Sequence, residues 1–228
     1  MHPLDNVIFQ ALTTRQAHFA ESFHSARGFP RDVSPLCGFA EPNDDGYTSL
    51  AGLVNHAASI GIFLDEEYKA HAGWEYVIGA PLLQMVCENG GAALSSAKSQ
   101  AQVVELRTPD SKEMLELTAL TKPGPFGTRT HELGLYVGIR EEDKIVAMAG
   151  ERLKVPGFTE ISAVCTHPDH VGKGYAGVLM AEVMKQIRER GETPFLHVRS
   201  DNARAIALYE RLGFRKRWEG YFAVLRKK

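Results

Sequence analysis

A short loop rich in glycine and histidine carries the clearest chemistry in this sequence. It runs from Cys165 to Gly177 and reads CTHPDHVGKGYAG, between a predicted strand and a predicted helix. Glycines let a backbone turn tightly and approach a ligand closely, and the first amides of a helix are unpaired and partly positive. The loop therefore predicts a phosphate or pyrophosphate site. A glycine turn with no ligand is the plainer alternative.

The same loop also contains the dinucleotide fingerprint GxGxxG, through Gly172, Gly174 and Gly177. In dinucleotide-binding folds the first glycine sits at the end of the strand. Here the residues His167-Pro168-Asp169-His170 intervene, and proline interrupts a strand pattern. The fingerprint also normally opens a longer βαβ series, whereas this copy lies late in the chain. A nicotinamide-dependent oxidoreductase is therefore a minor alternative.

A second segment, Asp201 to Phe214, reads DNARAIALYERLGF. The loop and this segment together resemble two motifs of the GNAT acetyltransferase superfamily, Q/R-x-x-G-x-G/A and N-x-x-A-x-x-L-Y-x-x-x-G-F. Gly174 and Ala176 occupy the last fixed positions of the first motif, and Val171 stands where Gln or Arg is usual. The resemblance covers about residues 103–228. The whole chain is also similar to bacterial GNAT proteins that carry an added N-terminal region.

The resemblance implies an acetyl-CoA-dependent N-acetyltransferase. The acetyl group would move to a primary amine of a small molecule or amino-acid-like acceptor by direct attack in a ternary complex. Acetyl-CoA would be the acyl donor, and the backbone around Val164 to Thr166 would align pantetheine and polarise the thioester carbonyl. The residues implied in cofactor binding are Val164, Cys165, Thr166, Val171, Gly172, Lys173, Gly174, Tyr175, Ala176, Gly177 and Asn202. A CoA-binding regulatory module without turnover is the alternative.

Two residues are the candidates for acid–base work. Glu160, near the start of a predicted strand, would be the base, because a free alkylamine has a pKa of about 10 and must lose a proton. The resemblance implies that Tyr209 would lie against the cofactor sulfur and act as the acid that protonates the leaving thiolate. The structural alternatives are an ion-paired glutamate and an aromatic core residue on a buried helix face. Asn202 is as well explained by helix capping as by cofactor contact.

The resemblance implies that the acceptor site involves the loop from Lys122 to His131, where Phe126 would wall a pocket and Arg129 would bind a carboxylate. A packing aromatic and a solvated arginine explain them equally well. Cys165 suggests an acyl-cysteine nucleophile, but a small buried thiol is the better interpretation. The nine histidines show no metal-binding spacing, so no metal is expected.

Composition sets the broad class. The 228 residues are 44% hydrophobic and carry a formal net charge of −2, which does not indicate a nucleic-acid or membrane-surface partner. Three cysteines with no metal-like spacing indicate reduced thiols. No apolar stretch reaches the roughly 20 residues of a membrane helix, and no signal peptide is visible. A soluble cytoplasmic protein is expected.

Hydrophobic periodicity predicts an α+β fold. The small, polar residues from Asn89 to Ser99 predict a linker, which divides the chain into an N-terminal α+β region (1–95) and a GNAT-like catalytic domain (96–228). The resemblance implies a mixed, mostly antiparallel central sheet flanked by helices. The first region is expected to cover the acceptor site or to form a homodimer contact. Helices are predicted at 12–23, 47–63, 110–120, 174–190 and 201–212, and strands at 74–78, 82–87, 103–106, 133–139, 144–153, 158–166, 195–198 and 221–225.

Overall fold

The computed structural model describes residues 2–88 and 101–228. Within these ranges the helices are α1 (Val7–Thr13), α2 (Asp44–Leu53), α3 (Ser111–Thr121), α4 (Tyr175–Glu189) and α5 (Ala203–Arg211). The strands are β1 (Glu21–Phe23), β2 (Ala26–Gly28), β3 (Cys37–Phe39), β4 (Ser59–Leu64), β5 (Trp74–Val86), β6 (Val103–Leu106), β7 (Tyr136–Glu141), β8 (Lys144–Val155), β9 (Phe158–Thr166), β10 (Thr193–Arg199) and β11 (Arg215–Lys227). The predicted linker and the boundary between residues 95 and 96 lie outside the described residues.

One eight-stranded sheet organises the molecule, in the order β4-β11-β5-β10-β9-β8-β7-β6. Among its described strand pairs only β9 and β10 run parallel. The prediction of a mixed, mostly antiparallel sheet flanked by helices is confirmed. A doubly wound dinucleotide-binding fold needs an open, mostly parallel sheet, so the interpretation of the loop as the dinucleotide fingerprint of that fold is wrong.

Strand β5 places the N-terminal region inside the sheet. This 13-residue strand pairs with β10 through Leu82–Val86 and with β11 along almost its whole length. Strand β4 adds the outer edge beside β11. The N-terminal region is therefore continuous with the sheet that carries the two motifs, whichever boundary divides the chain.

Helix α4 covers one face of the sheet and begins directly after the glycine loop. Its apolar residues recur at helical spacing, and Leu179, Val183 and Ile187 are fully buried. They pack with the inner faces of β7 to β10 and with α5. Truncating one such leucine to alanine typically costs about 2–5 kcal/mol of stability. The start of α4 is thus held against a rigid core.

The opposite face is covered mainly by the N-terminal region. Leu4, Leu12 and Leu36 are buried against Val155 and Phe195 of the sheet. A small three-stranded sheet, β1-β2-β3, and helix α2 pack beside β4 and the end of β11. Helix α3 completes this face at the other end of the sheet. The two faces therefore bury separate apolar clusters.

Two predicted helices are wrong in the N-terminal region. The segment 12–23 contains only the end of α1, a 3₁₀ turn at Ala17–Phe19 and strand β1. The segment 47–63 is split, because α2 ends at Leu53 and β4 begins at Ser59. Within the described ranges, no helix is long and apolar enough to cross a membrane.

Because both regions contribute strands to one sheet, the predicted division of the chain at residues 95 and 96 can be tested directly. A chain of residues 96–228 lacks β5, which supplies hydrogen-bond partners to both β10 and β11. We expect this chain to show no cooperative thermal transition and weak near-ultraviolet circular dichroism. Mixing it with a separate 1–95 chain is the control and should restore the transition. A cooperative transition in residues 96–228 alone would show that the division describes independent folding units.

Candidate functional site

The glycine loop joins β9 to α4 through backbone conformations that favour glycine. Gly172 has φ of 91° and Gly174, the residue before α4, has φ of 82°. Side chains with a Cβ adopt this left-handed region at a cost of roughly 1 kcal/mol or more. A Cβ at either position would meet no protein atom within 4 Å. The glycines are therefore required by backbone geometry and leave open space beside the loop.

The backbone N–H groups from Gly172 to Ala176, here called the amide row, have no protein hydrogen-bond acceptor within the described residues. The first paired amides of the helix belong to Gly177 and Val178, which both donate to the carbonyl of Gly174. Consecutive free amides at the positive end of a 15-residue helix form an anion-binding concavity. The structure therefore contains the free backbone N–H donors that the predicted phosphate site requires.

Glu141 ties the loop to the β7–β8 hairpin. Its carboxylate accepts hydrogen bonds from Lys173 Nζ at 2.8 Å and from the hydroxyl of Tyr175, and it lies 3.2 Å from His170 Nδ1. The hydrogen bonds from Lys173 and Tyr175 lower the pKa of Glu141 to about 2. The side chain of Lys173 is thus directed to Glu141, and its contribution to the site is its backbone amide.

A β-bulge shapes the strand that leads into the loop. Ala163 has φ of 53°, and the pairing of β8 with β9 shifts between Met148–Cys165 and Gly150–Ser162. Two residues of β9 therefore face one residue of β8, which bends and twists the strand. The glycine and proline signals of the sequence do not reveal this bulge.

Strands β9 and β10 separate soon after they meet. Their parallel pairing covers only Phe158–Glu160 and Thr193–Phe195. Beyond that point the segment from Ile161 to Thr166, here called the open edge, has no β10 partner within the described residues. Unpaired strand groups need another hydrogen-bond partner. An extended ligand lying along the open edge would supply one.

A cleft of about 500 Å³ lies between the loop, the open edge and α5. Its lining includes every predicted cofactor residue except Lys173: Val164, Cys165, Thr166, Val171, Gly172, Gly174, Tyr175, Ala176, Gly177 and Asn202. The side chain of Asn202 also caps α5, accepting from the amide of Ala205 at 3.1 Å. The structure therefore brings the two sequence motifs together around one cavity.

Two arginines of α5 also line this cleft and were missed by the sequence analysis. Arg204 and Arg211 are seven positions apart, which places them on the same side of a helix. That spacing was a usable signal. Their positive charge beside the amide row suits a ligand with several phosphate groups.

Tyr209, the predicted acid, lies in the wall of the cleft. Its side chain is largely buried and its ring packs against Phe214, with the ring centroids 6.1 Å apart. Within the described residues its hydroxyl has no hydrogen-bond partner, and burial raises its pKa to about 12. The phenol therefore stays protonated at neutral pH and is free to donate to a group in the cleft.

Glu160 does not line the cleft, and it is fully buried. Arg152 donates to its carboxylate at 2.8 and 2.7 Å, and His197 Nδ1 lies 2.6 Å away. Burial alone would raise the pKa of Glu160, but attraction to Arg152 and the hydrogen bonds lower it to about 2. A carboxylate with this pKa is a weak base. The geometry therefore favours a positioning role for Glu160 over the predicted role of direct base.

The loop predicted to bind the acceptor is held by other contacts. Arg129 donates to Glu132 at 2.8 Å and to Asp32 at 3.2 Å, and these two carboxylates raise its pKa. Phe126 packs edge-on against Tyr136, with the ring centroids 5.7 Å apart. Neither residue lines the cleft. Their roles in acceptor binding stay predictions, and their contacts in the structure are packing and ion pairing.

Cys165 is buried, and burial raises the pKa of its thiol to about 11. Such a thiol is protonated and poorly nucleophilic at neutral pH, which agrees with a structural role. In the described part of the chain, no group of three or more His, Cys, Asp or Glu side chains is arranged to hold a metal ion.

Comparisons with known proteins place this geometry in context. The family model described as FR47-like protein matches residues 136–223. A crystal structure from Novosphingobium aromaticivorans, assigned to the GNAT acetyltransferase family, is 32% identical, covers 100% of both chains and superposes with a TM-score of 0.91. A GCN5-related N-acetyltransferase from Kribbella flavida shares the fold at 16% identity, with a TM-score of 0.63 over 97% of this chain and 96% of that one.

Two mycobacterial sequences are also similar. An uncharacterised protein of Mycobacterium leprae is 30% identical over 211 residues, which are 84% of this chain and 55% of that protein. The N-alpha-acetyltransferase RimI of Mycobacterium tuberculosis is 36% identical over 84 residues, which are 36% of this chain and 52% of RimI. The matched segments thus cover about half the length of each of these two relatives.

The amide row gives the first prediction for this site. Gly174→Ala should raise the Kd for CoA about tenfold, because alanine disfavours the left-handed backbone that aims the amides. Isothermal titration calorimetry measures this change. Gly157→Ala is the matched control, since Gly157 also has positive φ and open space around it but lies in the β8–β9 turn. Equal weakening by both variants would contradict the assignment.

The buried Glu160–His197 pair gives a second prediction, on stability and pH. Burial lowers the pKa of His197 below 6.5 despite the neighbouring carboxylate, and that of Glu160 lies below its usual 4.5. The unfolded chain therefore binds more protons than the folded one. The stabilisation from these two groups is present above pH 6.5 and 4.5, respectively, and is lost as the pH falls.

Urea unfolding between pH 7 and pH 5 tests this prediction. A single proton taken up on unfolding gives a slope of at most about 1.4 kcal/mol per pH unit. His197→Gln keeps a donor toward Glu160 but does not titrate, so its free energy of unfolding should fall less steeply over this range. Parallel slopes for both proteins would contradict the assigned protonation state of His197.

Proposed function

We propose that this chain, which belongs to the GNAT family of acetyltransferases, transfers an acetyl group from acetyl-CoA to a primary amine of a small or amino-acid-like molecule. The supporting observation is the amide row, which faces the same cleft as the open edge and Tyr209. An anion site, an extended strand edge and a phenol are the three features that a phosphorylated thioester donor needs. The reaction is inferred to proceed in a ternary complex.

Acetyl-CoA suits the cleft in both charge and length. The amide row would hold the pyrophosphate, and Arg204 and Arg211, which line the same cleft, would bind further phosphate oxygens. The open edge, which includes Val164, Cys165 and Thr166, would hydrogen-bond the amide groups of the pantetheine arm. When bound, acetyl-CoA supplies a thioester carbonyl carbon that an amine nitrogen can attack.

The reaction forms one C–N bond and breaks one C–S bond. An alkylammonium acceptor loses two protons, of which one ends on the CoA thiol and one reaches solvent. The Tyr209 hydroxyl would donate toward the leaving sulfur, because it is protonated and without a protein partner in the described residues. Glu160, held by Arg152, would act on the amine proton through His197 rather than directly.

Binding and turnover are tested separately. Calorimetry with CoA and acetyl-CoA should show binding, and thiol release should follow when primary amines are added. No binding at millimolar acetyl-CoA would overturn the proposal. Binding with no thiol release across a broad panel of amines would favour a CoA-binding module without turnover.

Tyr209→Phe should lower kcat on the order of a hundredfold, because a positioned acid is lost. The Kd for CoA should stay roughly unchanged, since the ring remains. Tyr221→Phe is the control, because that hydroxyl bonds Tyr76 at 2.9 Å in another part of the sheet. Steady-state thiol release measures kcat. Full activity of Tyr209→Phe would show that the hydroxyl of Tyr209 takes no part in the reaction.

A further inference from the structure

A second cavity of about 350 Å³, here called the N-terminal cavity, lies between the N-terminal region and the sheet. Its walls come from residues 4–7, 39–40 and 63–65, and from Pro42, Gln84, His197 and Trp218. Most of this lining belongs to the part of the chain that the two sequence motifs do not cover. Its volume lies in the range of small-molecule sites.

Strand β10 connects the N-terminal cavity to the cleft described above. Leu196 and Val198 point to the face covered by α4 and α5, where they pack in the same apolar cluster as Tyr209. His197, between them, points to the opposite face and lines the N-terminal cavity. It lies just beyond Phe195, the last residue of β10 that pairs with β9. The cavity therefore meets the sheet where the two strands separate and the open edge begins.

The charged side chains that line the cavity in the described chain are both acidic, Asp5 and Asp65. Arg217, which is not among the lining residues, donates to Asp5 at 2.5 Å and to Gln84 at 3.0 Å. Asp65 is therefore the carboxylate of the pair that has no ion-pair partner within the described residues. Asp65 accepts a hydrogen bond from the indole of Trp218 at 2.9 Å, which fixes both side chains. Phe63 and Trp218 supply aromatic surface. Carboxylates beside aromatic faces attract an organic ammonium group and its apolar substituent.

We propose that the N-terminal cavity is the acceptor site and takes a primary ammonium carried on an apolar group of about the size of an arylalkylamine. This inference rests on the proposed function. It moves the acceptor site from the loop at Lys122–His131 to a site built by the N-terminal region.

His197 is the residue of this cavity that is placed to take the amine proton. Its Nδ1 faces Glu160 at 2.6 Å, and its Nε2 lies 3.2 Å from the side-chain nitrogen of Gln84. Because a carboxylate accepts and an amide nitrogen donates, neutral His197 carries its proton on Nδ1 and presents the Nε2 lone pair. An incoming ammonium group that displaces Gln84 would transfer one proton to Nε2, which leaves a neutral amine to attack the thioester carbon. Glu160 would then hold the resulting imidazolium, and Arg152 would keep Glu160 ionised.

Steady-state kinetics with phenethylamine tests the cavity. Asp65→Asn keeps an oxygen for Trp218 but removes the charge, and should raise the KM for phenethylamine about tenfold, the effect of one charged hydrogen bond. The Kd for acetyl-CoA should not change. Asp45→Asn, which alters an exposed carboxylate of α2 outside the cavity, is the control and should leave both values unchanged. An unchanged KM in Asp65→Asn and in Asp5→Asn would overturn the proposed site.

His197→Gln tests the proton transfer. It should lower kcat at least tenfold with phenethylamine, and much less with β,β-difluorophenethylamine, whose fluorines make the amine less basic and leave more of it already neutral. A merely structural role would lower both rates equally and would overturn this assignment. If thiol release with amines is the same in every cavity variant as in the unaltered protein, the proposed acceptor site is wrong and the proposed function stands. If the unaltered protein does not bind acetyl-CoA, the proposed function itself is wrong.

Discussion

The parting of β9 and β10 beyond Glu160 and Phe195 is the constraint on which both cavities depend. A parallel pair that continued to Thr166 would satisfy the strand edges internally and leave no place for an extended ligand. The bulge at Ala163 turns β9 away while β8 still holds its other edge. The free edge of β9 is thus directed into the cleft, and His197 on β10 points to the opposite face, where it lines the N-terminal cavity.

The separation requires support, because it leaves polar groups in the interior. Arg152, Glu160 and His197 form a buried cluster at the point where pairing ends. Removing one partner from such a cluster is more damaging than replacing the whole by apolar groups, since an uncompensated charge remains. The hydroxyl of Tyr136, close by, is buried without a hydrogen-bond partner in the described chain. This part of the fold therefore contains buried polar groups that apolar packing alone does not require.

The sequence predicted most where local signals and tertiary structure agree. Strand β9 was predicted at its observed bounds, and α4 within one residue at each end, because their periodicity and flanking glycines leave few alternatives. The 47–63 prediction failed because apolar residues at helical spacing in α2 continue without a break into β4, where packing against β11 decides the conformation. Arg152 and His197 were missed as partners of Glu160 because their contacts join three different strands. Strands were predicted at 74–78 and 82–87, but no local signal indicates that this segment inserts between β10 and β11.

That insertion also has a consequence for how the chain reaches its native state. Trp74 pairs with Lys227, so the longest internal ladder of the sheet joins residues far apart in the chain. Closing such a loop costs conformational entropy before the strand contacts that offset this cost have formed. Folds rich in distant pairings therefore form slowly. On the ribosome, β5 would emerge long before β11 and would have neither of its two neighbours. During that interval its exposed edge would be open to aggregation, so a chaperone or rapid packing of α1 and α2 against the early strands would have to protect it.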